Sequence, residues 1–329
     1  MSLIENLNGL FQKRNNARFL FLKIERYRKE KLARSMMAAM TLIITLLVPL
    51  MIFALLIRAW PIIKTFPLKN LLLSTTWRPM QGEFGFLPFI MGTLWVTAGG
   101  MILAVPPSLL TAIFLAEYAH ARTRRIIMPV IDLLAGIPSV VYGVWGTLTI
   151  VPFIENVFAP TVRKRLGFLP LFQSENPTGF GILAGGIVLA VMVFPVIIAV
   201  AEDVIRAAPQ GLREASFSLG ATRWQTVTQV VLRRTWPGVM AAIVLGFSRA
   251  FGETMAVLMV VGNVPKIPNS IFDAAYPLTA LIANNYGEMM SIPLYDSALM
   301  GGALILLLIL VGFNLFSRVI LVRLMNKSV

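Results

Sequence analysis

The sequence predicts an all-α polytopic membrane protein with six transmembrane helices, and three observations carry that prediction. Of its 329 residues 57% are hydrophobic and only 13% charged, with a mean hydropathy of +0.78. Soluble domains carry about a quarter charged residues, so a chain this apolar has too little polar surface to cover a water-facing globule. Six apolar runs reach the roughly 20 residues needed to cross about 30 Å of hydrocarbon. The basic residues between those runs alternate in density, as they do where one set of loops stays in the cytoplasm. Such runs must be helical, because backbone polar groups in lipid have to be paired within the segment.

The elements follow in order. Residues 1–34 form a basic arm containing Lys13, Arg14, Arg18, Lys23, Arg26, Arg28, Lys29, Lys31 and Arg34. It is too long and too charged for the leading part of a cleaved signal peptide. Its apolar Leu10, Phe11, Phe19, Leu20 and Leu22 fit a helix lying on a membrane surface. Nucleic-acid binding is the alternative reading of the arm, and the net charge of +14 and pI near 10.6 would suggest it in a soluble protein. Residues 35–329 form the transmembrane domain. The first span is the charge-free run Ser35–Ile57, and the second lies within Phe84–Ala116 with a kink at Pro106-Pro107. The third is Ile126–Ile154, interrupted by Asp132 and broken at Pro138; the fourth is Asn176–Ala201. The fifth, Thr235–Val264, contains Arg249 and Glu253, and the sixth is Ser297–Ser317. Between the last two, Asn263–Asp296 is long and mixed, and its apolar Leu278–Ile282 predicts a short helix resting at the outer interface.

With six spans both termini share a side. That side carries 20 Lys and Arg: the arm, Arg122, Arg124 and Arg125, five residues from Arg206 to Arg234, and Arg318, Arg323 and Lys327. The opposite side carries eight. Both termini and the loop Glu202–Arg234 are therefore expected in the cytoplasm. The high pI is mostly a signature of topology.

Several functions are disfavoured by what is missing. The chain has no cysteine, hence no disulfide or thiolate metal site. It has no G-x-x-x-x-G-K-[ST] loop to hold nucleotide phosphates and no H-E-x-x-H. His120, its single histidine, lies in the short loop Ala119–Arg125 and reads as a solvated side chain. No catalytic residue, cofactor or metal is expected.

The loop Glu202–Arg234 carries the most information. Pro209 and Gly211 stop one helix, Leu212–Leu219 form another, and Gly220 ends it before Ala221–Leu232 turn helical again. A short helix bounded by glycines suits docking into a groove of a partner, with Ala215, Phe217, Leu219 and Trp224 as contacts. An interfacial helix with no partner fits that shape equally well. The spacing Glu214-Ala215-Ser216, three residues, Gly220, nine residues, Val230-x-Leu232 resembles the E-A-A-x3-G-x9-I-x-L-P signature of bacterial importer permeases. Ser216 stands in place of the second alanine, and Arg233 where proline is usual. In that family the segment is the coupling helix, which rests in a cleft of the ATPase. The resemblance therefore implies an ATPase-coupling role for Glu214, Ala215, Ser216 and Gly220.

Two further stretches narrow the resemblance. Ile131-Asp132-Leu133-Leu134-Ala135-Gly136-Ile137-Pro138-Ser139-Val140-Val141-Tyr142-Gly143 is similar to the third-span motif of phosphate-specific permeases of ATP-binding-cassette (ABC) importers. Ser248-Arg249-Ala250-Phe251-Gly252-Glu253-Thr254-Met255-Ala256-Val257 is similar to their fifth-span motif R-A-x-G-E-T, and its ending, with Gly262-Asn263, resembles the C-type subunit. The similarity runs from about residue 85 to the end. It implies uptake of inorganic phosphate, driven by two copies of an ATPase subunit. It also implies a sister permease of the A type, an external phosphate-binding protein and a cell inner-membrane location. Nucleic acid is not an expected partner. Residue chemistry alone leaves molybdate, sulfate or another oxyanion open. A stand-alone secondary transporter would need more intramembrane carboxylates than Asp132 and Glu253. A membrane enzyme would need a catalytic constellation that the chain lacks.

Arg249 and Glu253 are conspicuous without any family. A lone charge at mid-span costs roughly 2.5–3.5 kcal/mol on insertion scales. Their i, i+4 spacing would let them share a helix face and partly neutralise each other. The small residues Gly238, Ala242, Gly246, Ala250 and Thr254 mark a face for close helix approach. Two readings stand: a structural ion pair, or an arginine that presents its planar donor fork to a passing oxyanion, oriented by Glu253. The family's transport-critical arginine and glutamate fall on these positions, so the resemblance implies the second. Asp132 is expected to pair with the Arg122–Arg125 cluster. Pro106, Pro107, Pro138, Gly143 and Pro195 are candidate hinges for alternating access, in which the coupling helix rocks spans three to five.

Overall fold

The computed structural model describes the backbone at 2–173, 176, 178–288 and 291–327, and the side chains at 27, 29–173, 176, 178–288 and 291–323. Most basic residues of the arm, and Lys327, thus lie outside the described side chains. The chain divides into two compact units, Met1–Ile57 and Arg58–Val329. The first unit is helical from Ser2, within α1 (Ser2–Thr65), so the arm and the first apolar run form one uninterrupted helix. Among the described residues six helices are long and apolar enough to cross a membrane, as predicted, beginning with Lys29–Thr65.

In the second unit α2 (Leu68–Leu73) and a two-residue hairpin, Trp77–Arg78 with Glu83–Phe84, lead into α3 (Leu87–Tyr118), the second span. Then come α4 (Ala121–Gly136), α5 (Ser139–Leu166), α6 (Ile182–Arg206), α7 (Gln210–Ser218) and α8 (Arg223–Phe251). Last are α9 (Met255–Val260), α10 (Leu278–Asn285) and α11 (Tyr295–Lys327). The third, fourth, fifth and sixth spans are α5, α6, α8 and α11.

Three predicted features move, each for a local reason. The third span begins at Ser139 rather than Ile126. Pro138 has no N–H to continue a helix, Ile137 is extended (ψ 130°), and the preceding Ala121–Gly136 becomes a separate helix. The fifth span begins at Arg223, because the helix that starts after Gly220 runs through a π-turn at Thr226–Val231 straight into the membrane segment. It ends at Phe251, so the run predicted to Val264 is broken. The third correction concerns α10. Its first turn packs into the bundle instead of lying on its surface: Leu278, Ala280 and Leu281 have no exposed surface, and Leu278 and Leu281 pack with Phe86, Phe89 and Tyr295. Its first polar groups are satisfied by other helices and the segment after α8. The Leu278 N–H donates to Thr93 Oγ1 (2.9 Å), and Thr279 Oγ1 donates to the Glu253 carbonyl (3.1 Å).

Glycines set the close packing at the centre. A Cβ on Gly100 would lie 2.8 Å from Leu189 Cδ2, and one on Gly186 would lie 3.3 Å from the Gly100 nitrogen, so α3 and α6 touch backbone to backbone. The small-residue stripe of α8 faces α6 in the same way. A Cβ on Gly238 would meet Val204 at 2.4 Å and one on Gly246 would meet Ile197 at 2.6 Å, with Ala242 and Ala250 buried along the same stripe. Close backbone approach is what small residues provide where lipid removes the hydrophobic drive for helices to associate. Gly143 serves a similar approach, because a Cβ there would sit 3.1 Å from the Ala256 Cα.

Candidate functional site

Two broken helix ends meet around Arg249. At the end of α4 the Leu134 carbonyl faces position 138, where proline offers no N–H, so the last carbonyls need other donors. Tyr142 Oη donates to the Leu134 carbonyl (2.8 Å), and Arg249 Nη2 donates to the Ala135 carbonyl (3.4 Å). The second contact is long for a hydrogen bond and its acceptor is neutral. Arg249 is half-buried, two residues before α8 ends at Phe251. Glu253, also half-buried, lies beyond that end. Its Oε1 accepts from the Ala256 N–H (3.3 Å) at the start of α9, and its carbonyl holds Thr279.

The i, i+4 pairing expected of Arg249 and Glu253 is therefore absent. Helix α8 stops between them, so the geometry that would place them on one face no longer applies. Among the described residues no ion pair joins them; the described pairs are Arg124–Glu202 and Arg213–Glu117. Asp132 is exposed, and among the described residues it forms no ion pair with the arginine cluster. Arg124 of that cluster takes Glu202 of α6 instead, with Nε–Oε1 at 2.6 Å and Nη2–Oε2 at 3.1 Å. That hydrogen bond, opposed by burial, raises the Arg124 pKa above its ordinary value. Glu202 is fully buried.

Sequence reasoning missed two features here. Ser248 Oγ donates to Asn314 Oδ1 (3.0 Å), tying α8 to α11 one residue before Arg249. Asn314, a polar residue inside an apolar run, is the signal that could have found it. The partners of Glu117 and Glu202 carry no such mark, since both lie near the ends of apolar stretches.

The loop between α6 and α8 has the predicted form. Helix α7 is followed by Gly220 at φ +81°, and Thr222 starts α8 with a capping box to Gln225. Glu214 and Ala215 belong to α7; Glu214 is exposed, while Ser216 is buried with its hydroxyl 2.9 Å from Thr226 Oγ1. The serine that departs from the signature thus joins α7 to the start of α8. Phe217 (48% exposed), Leu219 (89%) and Trp224 (56%) present an apolar surface around the turn. No atom lies within 4 Å of a Cβ built on Gly220, so its left-handed backbone, and not crowding within the chain, is what calls for glycine.

Residues 108–328 match the model of the family described as binding-protein-dependent transport system inner membrane component. The chain belongs to that family. It is a multi-pass inner-membrane component of a transport system. The phosphate transport system permease protein PstC of Haemophilus influenzae is 38% identical over 303 residues, covering 91% of this chain and 95% of that protein. The probable ABC transporter permease protein YqgH of Bacillus subtilis is 40% identical over 249 residues, covering 75% of each. An inward-facing structure of the MetNI methionine ABC transporter aligns with a TM-score of 0.52 at 19% identity, covering 76% of this chain and 99% of that one. That likeness establishes the shared permease fold.

Proposed function

We propose that this family member is a phosphate-translocating permease subunit of an ABC importer. The relatives named PstC support the substrate, since the similarity spans nine-tenths of the chain. The observation that carries the mechanism is Arg249. It is a half-buried guanidinium in the membrane domain, held among the described residues by a neutral carbonyl at 3.4 Å, at the junction of two broken helix ends. An arginine so placed can offer its planar fork to an oxyanion without first breaking an ion pair. A neutral, long contact also exchanges readily, which transport requires of a site that must release its cargo. Glu253 lies on the same pathway and organises the break after α8 through the Ala256 N–H. Both termini and the α6–α8 loop face the cytoplasm, on the distribution of basic residues. Glu214, Ala215, Ser216 and Gly220 form the coupling segment for the ATPase. The assembly contains two ATPase subunits, an A-type sister permease and an external phosphate-binding protein.

The test is ATP-dependent uptake by the complete complex in proteoliposomes, supplied with the external binding protein. Phosphate should accumulate, and Arg249→Gln should nearly abolish accumulation in a complex that still assembles. Accumulation of sulfate or molybdate in place of phosphate would overturn the substrate; full activity of Arg249→Gln would overturn the role of the arginine.

A further inference from the structure

Helix α7 is bonded to more than the spans it connects. Arg213 lies on α7, one residue before Glu214. Its Nε donates to both carboxylate oxygens of Glu117 (3.1 and 3.2 Å), and its Nη2 donates to Glu117 Oε1 (2.5 Å). Nη2 also reaches the Ile205 carbonyl (3.0 Å) and Nη1 the Ala208 carbonyl (2.5 Å), at the C-terminal end of α6, where a cation is favoured. Glu117 is in the last turn of α3, a π-turn at Phe114–Tyr118. Beyond Gly220, Arg223 returns to the same place. It donates to the Glu117 carbonyl, and its guanidinium carbon lies 4.8 Å from the centre of the Tyr118 ring. Two arginines, one on each side of the Gly220 turn, thus grip one pair of residues at the end of the second span.

We propose that Arg213 and Arg223 clamp the Glu117–Tyr118 end of span two to the coupling segment, so that span two is driven directly by the movement of α7. The proposal rests on the coupling reading of the α6–α8 loop and adds a load path that chain connectivity does not supply. Connectivity transmits displacement of α7 only to α6 and α8. The clamp adds α3, whose backbone lies against α6 at Gly100 and Gly186, so spans two and four would move as one body. The Arg213–Glu117 side chains are only 17% and 8% exposed, so salt screens the pair little. The guanidinium of Arg213 bonds to two helices at once, which gives the junction stiffness as well as attraction. Arg213, Glu117 and Arg223 are positioning residues; none needs to touch the cargo.

The chain has no native cysteine, so within this subunit a thiol cross-linker joins only introduced residues, and the complex carrying the native chain is the control for thiols on its partners. In the complete importer reconstituted in proteoliposomes, uptake and ATP hydrolysis are measured together. Glu117→Ala should lower phosphate transported per ATP by about 2- to 30-fold, the range for a residue on a coupling path, while the ATPase still co-purifies. Tyr118→Cys/Arg223→Cys joined by a short thiol cross-linker should keep the coupling ratio, because the joined elements move together. An unchanged ratio in Glu117→Ala, or transport arrested by the cross-link, would overturn the clamp. Gly220→Trp separates this from the reading beneath it. If Gly220→Trp uncouples while Glu117→Ala does not, the clamp alone fails; if both behave as the native complex, the coupling role of the loop fails with it.

Discussion

The Arg124–Glu202 pair gives the sharpest stability prediction. Glu202 has no exposed surface and both its oxygens are held by Arg124, whose side chain is 30% exposed. Arg124→Ala leaves a buried carboxylate without its cation. Removing one member of a buried pair costs about 3–5 kcal/mol, and partial exposure of the arginine places this case near the lower bound. About 3 kcal/mol corresponds to roughly a 150-fold change in the unfolding equilibrium. The assay is unfolding of the purified chain in mixed micelles by increasing SDS, followed by tryptophan fluorescence. Arg124→Ala/Glu202→Gln should recover more than half of the loss, because no uncompensated charge remains. A cost below about 1 kcal/mol for Arg124→Ala, or strictly additive effects in the double variant, would refute the reasoning.

Other outcomes follow from the remaining sites. Arg249→Lys should keep part of the uptake, since lysine retains the charge and loses the fork. Arg249→Gln/Glu253→Gln should stay inactive, and transport restored by the double change would show that the two charges act only as a structural pair. Gly246→Leu should prevent stable folding through collision with Ile197, seen as loss of the monodisperse complex in detergent. For topology, Lys266→Cys should react with a membrane-impermeant thiol reagent in intact cells and Arg323→Cys should not; the reverse pattern would invert the orientation.

Much of the fold and part of the candidate site are legible in the amino-acid sequence. Pro138 predicts a break, and the helix breaks there because proline has no N–H to continue it. Gly220 predicts a helix stop, and its φ of +81° is the reason. The stripe Gly238, Ala242, Gly246 and Ala250 predicts a close-packing face, and α6 is what it meets. The expectation that Arg249 and Glu253 are helical neighbours fails because hydropathy continues past Phe251 while the helix does not. The Gly-Glu-Thr sequence after Phe251 is a local warning that the apolar run conceals.

The sequence by itself determined the solvent, the number of candidate spans, the uneven distribution of basic residues among the loops and the place of the short helix between spans four and five. Each of these depends on composition or on spacing within a few turns, which a linear pattern records. Tertiary structure alone decided which charges pair. Arg124 and Glu202 are 78 residues apart, Arg213 and Glu117 are 96 apart, and Arg249 reaches a carbonyl 114 residues away. Intramembrane and interfacial charges must find partners or water. Which partner each finds is fixed by helix packing, through glycine contacts such as Gly100 on Leu189 that bring distant segments to backbone distance.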